Sequence, residues 1–247
     1  MAKIIAPYYE HNGITIYCGD CREILPQLNV KVDLVLTDPP YKIDGMGGGG
    51  LARHEFYAGN ATGICDMIDF RLSDYEGVLS HAPELVAFHS RLQLCDYANF
   101  CLKAFGNYDL HFWHKVNAIP FTHNTWKSDV EYIALGWRQH SHAHVSQEQK
   151  SKVFTSGIET DNLHPAQKPL PLIAKYIRVL QPELTVDPFM GSGTTLVAAK
   201  KLGRKCIGIE IEEKYCEIAV KRLSQEVMDF HTLPTADKPK NFNLGEM

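Results

Sequence analysis

Short apolar runs alternate with amphipathic stretches along most of this chain. Ile14–Cys18, Val32–Leu36, Leu85–His89, Asp109–Trp113, Val130–Leu135, Leu184–Val186 and Lys205–Glu210 read as strands. Helical spacing appears near Arg22–Leu28 and over Leu92–Phe105, Leu170–Leu180, Thr194–Gly203 and Glu212–Val227. In Leu170–Leu180, the residues Leu172, Ala174, Ile177 and Leu180 can face a sheet, and Tyr215, Ile218, Ala219 and Leu223 share a side of the last helix. This alternation predicts an α/β fold: a doubly wound, mostly parallel sheet of seven strands with helices on both faces. Val130–Leu135 is expected to pair antiparallel at its edge. Two stretches interrupt the pattern. Residues 42–80 form a long excursion containing Gly47-Gly48-Gly49-Gly50, and residues 138–163 are polar. The end of the chain after His231 is polar with two prolines and is predicted to be mobile.

With 247 residues, 45% of them hydrophobic, the chain can bury a full α/β core as one domain over 1–230, followed by a tail over 231–247. No apolar run of membrane-spanning length and no signal peptide is visible, which predicts a cytoplasmic protein without a membrane partner. Seven cysteines, an odd number, read as thiols. Cys18-Gly19-Asp20-Cys21 has zinc spacing but no second pair, and His140-Ser141-His142-Ala143-His144 reads as a solvated loop, so no metal is expected.

Two strand ends carry the chemistry. Asp38-Pro39-Pro40-Tyr41 follows the apolar run ending at Leu36. An exocyclic amine on a nucleobase is a poor nucleophile because its lone pair is delocalised into the ring. Two hydrogen-bond acceptors can turn that lone pair out of plane. Asp38 offers a side-chain oxygen and Pro39 a carbonyl held by the prolines' fixed φ. Tyr41 can stack on the base. Asp-Pro is also an ordinary turn former, so this tetrapeptide alone leaves a plain turn open.

The second strand end is Asp187-Pro188-Phe189-Met190-Gly191-Ser192-Gly193-Thr194-Thr195. Gly193 is followed by Thr194 rather than Lys, so this is not an ATPase phosphate loop. Leu196 stands where a dinucleotide fingerprint needs its third glycine. The next strand ends in Glu210, an acid placed to take two ribose hydroxyls. A glycine loop and a ribose acid without phosphate machinery suit a nucleoside cofactor, S-adenosylmethionine being the obvious candidate.

These motifs together resemble the amino-methyltransferases of DNA, in the permuted arrangement where Asp-Pro-Pro-Tyr precedes the cofactor glycine loop. The likeness runs from about Tyr8 to Leu223. Ile14–Asp20 resembles the family's strand ending in Gly-Asp, Phe112-Trp113-His114-Lys115 its Trp-x-Lys strand, and His164-Pro165-Ala166-Gln167-Lys168-Pro169 the segment before the helix at the methionine end of the cofactor. The resemblance implies a Rossmann-like methyltransferase fold and a flipped-out target base on double-stranded DNA. It implies catalysis by Asp38, Pro39, Pro40 and Tyr41. For S-adenosylmethionine it implies contacts from Asp20, Cys21, Asp38, His164, Gln167, Lys168, Asp187, Phe189, Gly191, Ser192, Gly193, Thr194, Glu210 and Ile211. Asp rather than Ser at position 38 favours N6-adenine over N4-cytosine. RNA adenine methylation and a catalytically silent nucleic-acid-binding scaffold are the alternatives; a scaffold is expected to lose Asp38, Gly191 or Gly193, and all three are present.

The net charge of −4 argues against strong nonspecific DNA binding. Between Arg91 and Arg178, however, ten Lys and Arg stand against seven Asp and Glu. That window holds seven of the 12 histidines. A moderate, salt-sensitive DNA affinity follows, with 42–80 and 138–163 as the DNA-contacting insertions. The small basic face and short recognition segment, together with the resemblance, whose permuted members often pair near the cofactor loops, predict a homodimer, with Leu170–Leu180 and the helix after Thr194 as the candidate surfaces.

Overall fold

The computed structural model describes residues 6–40, 71–118, 126–138, 146, 150–158 and 167–224. Its elements are β1 (Tyr9–His11), β2 (Ile14–Cys18), α1 (Cys21–Ile24), β3 (Leu34–Thr37), α2 (Glu76–Leu79), β4 (Glu84–His89), α3 (Leu94–Phe105), β5 (Asn107–Lys115), β6 (Val130–Trp137), β7 (Val153–Ser156), α4 (Leu170–Leu180), β8 (Leu184–Asp187), α5 (Thr194–Lys201), β9 (Lys205–Glu210) and α6 (Glu213–Ser224). The strands form one sheet in the order β1-β2-β9-β8-β3-β4-β6-β5-β7.

The sheet has nine strands among the described residues, not the seven expected. One addition is β1, which pairs antiparallel with β2 in the register Tyr9↔Ile16. Asn12 and Gly13 join them with φ of 48° and 79°. Asn-Gly with both residues at positive φ suits a two-residue hairpin turn, and the polar strand before it hid the signal. The other is β7, parallel to β5 with Phe112↔Val153, inside the stretch read as a polar insertion. A second correction concerns β6. It lies between β4 and β5, antiparallel to both, rather than at the edge. Its inner run Ile133–Leu135 is buried, as a strand with two neighbours requires.

Helices cover both faces, as the alternation predicts. On one side α4, α5 and α6 bring Leu172, Ile177, Leu196, Ala198, Cys216 and Leu223 onto Ile16, Leu34, Leu36 and Val86. On the other, α1, α2 and α3 bring Ile24, Leu79, Tyr97, Phe100 and Phe105 onto Val35, Leu85, Ala87 and Ile209. The buried side of α6 centres on Cys216, Ala219 and Leu223, with Tyr215 and Ile218 at its margin. The end of the long excursion is structured: Leu72–Tyr75 is a single 3-10 turn leading into α2, with Tyr75, Val78 and Leu79 buried. The rest of that excursion up to residue 70, Gly47–Gly50 included, and the tail over 231–247 lie outside the described residues.

The topology fixes where a ligand goes. From β3 the sheet grows through β4 in one direction, and from β8 through β9 and β2 in the other. β3 and β8 are parallel neighbours, with Leu34↔Thr185 and Val35↔Val186. They form the topological switch point, and the crevice beyond their carboxyl ends is the binding place of doubly wound sheets. Asp38 follows β3 and Asp187 ends β8.

Candidate active site

β3 is buried along its whole length, so the chain reaches Asp38 rigidly, and Pro39 and Pro40 continue it without freedom in φ. The Asp38 carboxylate is engaged: Lys168 Nζ donates to its Oδ2 at 2.5 Å. Lys168 also meets Glu131 Oε2 at 3.3 Å and lies over the Phe88 ring at 5.2 Å. Glu131 turns its Oε1 to Lys115. Sequence reasoning assigned Lys168 to the cofactor; its ammonium sits on the Asp38 carboxylate. Burial disfavours the Lys168 charge, but the Asp38 and Glu131 carboxylates outweigh it and raise the pKa. Glu131 is a functional candidate that sequence reasoning missed. An acid inside a strand that otherwise reads apolar was the available signal.

One strand away, Asp187 is buried in a different setting. Thr37 Oγ1 donates to its Oδ1 at 2.7 Å and the Phe189 N–H at 3.2 Å, with a further bond from Thr195. Loss of solvent still dominates these donors and pushes its pKa up to about 6, with the Asp38 charge adding to the rise. Thr37 therefore ties the two strand ends together, side by side as expected.

The glycine turn divides its labour. Gly191 has a φ of 50°, and a Cβ built there would meet nothing within 4 Å. Its N–H donates to Glu210 Oε2 at 3.0 Å, while Glu210 Oε1 accepts from the Glu212 N–H at 2.9 Å. Burial raises the pKa of Glu210. Gly193, with a φ of 81°, faces α6 instead: a Cβ there would lie 2.8 Å from that of Ala219. Ser192 and Thr194 are buried beneath Arg222 of α6, whose Nη1 donates to Ser192 O at 2.8 Å, Ser192 Oγ at 3.0 Å and Thr194 Oγ1 at 3.2 Å. Arg222 clamps the turn, and its sequence context gave no hint of this. Gln167 reaches the same turn, its Oε1 accepting from Ser192 Oγ at 3.5 Å.

β2 brings the remaining residues alongside. Cys18 is in register with Glu210, and Gly19 N–H donates to Glu210 O at 2.8 Å. Asp20 caps α1 through the Arg22 N–H at 2.8 Å and pairs with the Arg22 guanidinium, whose hydrogen bonds hold its pKa below the usual range. Arg22 lies over the Tyr75 ring at 5.1 Å, and Tyr75 meets Phe189 edge-on at 5.2 Å. Cys21 points into the core, where burial pushes its thiol up to about 12, whereas Ile211 is exposed beside Glu210. The described residues thus bring Asp20, Glu210, Ile211, Phe189, Gly191 and Asp38 to one edge. Tyr41, His164 and the His140–His144 run lie outside them.

Comparison with known proteins matches this arrangement. The DNA methylase family model fits residues 32–221. The Type II methyltransferase M.HinfI of Haemophilus influenzae is 28% identical over 250 residues, covering 85% of this chain and 68% of that protein. The Type II methyltransferase M2.DpnII of Streptococcus pneumoniae is 27% identical over 261 residues, covering 89% and 93%. The solved M1.HpyAVI–SAM complex superimposes with a TM-score of 0.62 at 28% identity, over 85% of this chain and 99% of that one. The cytosine-N4-specific PvuII DNA methyltransferase, at 19% identity and a TM-score of 0.67, shares the fold. A chain whose family match spans both strand ends and the sheet between them belongs to the DNA methylase family.

Proposed function

We propose that this protein methylates the N6 amine of adenine in double-stranded DNA, with S-adenosylmethionine as methyl donor. The observation that carries the reading is the juxtaposition at the switch point: Asp38 at the end of β3, one strand from the Gly191–Glu210 cradle beyond β8 and β9. The residues suit this donor. No atom lies within 4 Å of a Cβ built at Gly191, so a ligand can approach the turn there, and the Glu210 carboxylate can accept from ribose hydroxyls. Ile211 and Phe189 offer apolar surface for its adenine, with Asp20 nearby as a polar partner. When bound, S-adenosylmethionine supplies an electrophilic methyl group on its sulfonium.

The chain's own residues do the rest. The target base leaves the duplex, at a cost of a few kcal/mol. Asp38 and the Pro39 carbonyl accept from its amino group and aim the nitrogen lone pair at the methyl. Tyr41 is assigned the stacking role. No enzyme nucleophile is needed, because the nitrogen attacks directly, taking the methyl as its bond to sulfur breaks and then releasing a proton; catalysis is orientation and electrostatics. Asp38 favours adenine over cytosine, with N4-cytosine as the second reading. The activity belongs in the cytoplasm, and two copies pair to give the duplex a larger basic face. Transfer of a tritiated methyl group to unmethylated duplex DNA, followed by nucleoside analysis, tests the assignment. Label in N6-methyladenine is expected; label only in N4-methylcytosine, or none, overturns it.

A further inference from the structure

Asp38, Lys168, Glu131 and Lys115 form one chain of alternating charges, running from the end of β3 across β6 to β5. Lys168 leaves 6% of its side chain exposed, Glu131 17% and Lys115 14%. Taking an ammonium out of water costs several kcal/mol unless good partners replace the water. Here two carboxylates flank Lys168, and Lys115, itself 4.9 Å from the Trp113 ring centroid, neutralises the outer one. Anchoring the segment before α4 needs no such arrangement, since an apolar side chain on Phe88 would serve.

We propose that Lys168, clamped by Glu131 and through it by Lys115, is a positioning residue that fixes the Asp38 carboxylate for the target amine. The inference rests on the reading that Asp38 serves an exocyclic amine. As that amine attacks, its nitrogen becomes positive, and an ionised, oriented carboxylate stabilises it. The groups around Asp38 define what Lys168 contributes. Asp187 of β8 brings a like charge. Tyr97 of α3 keeps its phenol proton through burial and the Asp38 charge. His89 at the end of β4 is stacked on Tyr97 at 4.8 Å, and burial lowers its pKa. Without the Lys168 ammonium, Asp38 Oδ2 loses the donor that holds it at 2.5 Å, and the carboxylate is free to turn away from the amine.

Single-turnover methyl transfer to duplex DNA tests this. Lys168→Gln is expected to slow transfer about 10²-fold, the scale of a misplaced reacting group. Lys168→Arg, which keeps a cationic donor, recovers most of the lost rate. Glu131→Gln, isosteric with the native side chain, slows transfer by a smaller factor and serves where Lys168→Gln does not fold. Calorimetric affinity for S-adenosylmethionine stays at the wild-type value in all three. A near-wild-type rate in Lys168→Gln, no recovery in Lys168→Arg, or loss of cofactor affinity in step with rate overturns the proposal while wild-type activity stands. A wild-type chain that transfers no methyl to DNA removes the functional reading and the proposal with it.

Discussion

Asp187 and Asp38 stand one strand apart, and their neighbours set them different tasks. Asp187 is held by hydroxyl and amide donors, and burial raises its pKa to about 6 from an ordinary value of 3.8. The folded chain thus holds a proton that the unfolded chain releases first. Stability from this group is fully present below about pH 4 and is lost as pH rises through about 6. Asp187→Asn is expected to gain on the wild type across that window, by on the order of 2–3 kcal/mol. Urea unfolding at several pH values measures the difference, and a difference independent of pH would show the group titrating normally. Glu210 makes a second residue-level test. Glu210→Ala should weaken S-adenosylmethionine by about 1.5–3 kcal/mol, the range for hydrogen bonds to a charged group. Unchanged affinity on calorimetric titration would place the ribose elsewhere. Asp38, Gly191 and Glu210 were legible as residues because each sits where a strand ends. Thr37, Glu131 and Arg222 were not, because their roles come from partners more than 25 positions away in the chain.

The elements were largely legible because parallel strands buried on both faces read as continuous apolar runs. Their neighbours were less so. β6 looks like an edge strand in sequence, and only its pairing with both β4 and β5 explains why Ile133–Leu135 must be apolar. β1 and β7 are short strands on the sheet's outer edges, where polar residues are tolerated and periodicity is weak. The turn between β8 and α5 gives a prediction at this scale. Gly193→Ala brings a methyl group to 2.8 Å from the Ala219 Cβ at a φ of 81°, so it should destabilise the α5–α6 contact by about 1–3 kcal/mol. Gly191→Val enters open space, so its main effect beyond backbone strain should fall on cofactor affinity. Thermal melts and calorimetry of the two variants separate the roles. A Gly191→Val chain that binds the cofactor normally would remove Gly191 from the cradle.

At the scale of the whole molecule, the described residues form a mixed nine-stranded sheet with three helices on each face and the candidate chemistry at one edge. The proposed dimer has to contend with that packing. Leu172, Ile173, Ala174, Tyr176 and Ile177 of α4, and most of α5, are already buried in the chain's own core. The pairing surface must therefore use their outer residues and the loops near them. Light scattering at low micromolar concentration, with and without duplex DNA, should give twice the 27.9 kDa chain mass, and a single-chain particle in both would refute the dimer. The central claim is that the carboxylate at the end of β3 performs the transfer beside a cofactor cradle built separately from it. Single-turnover methyl transfer by Asp38→Ala, with S-adenosylmethionine affinity measured on the same preparation, tests it most directly. A rate lowered by about 10²-fold or more, with cofactor binding retained, is the predicted result. A variant that keeps most of its rate would contradict the claim.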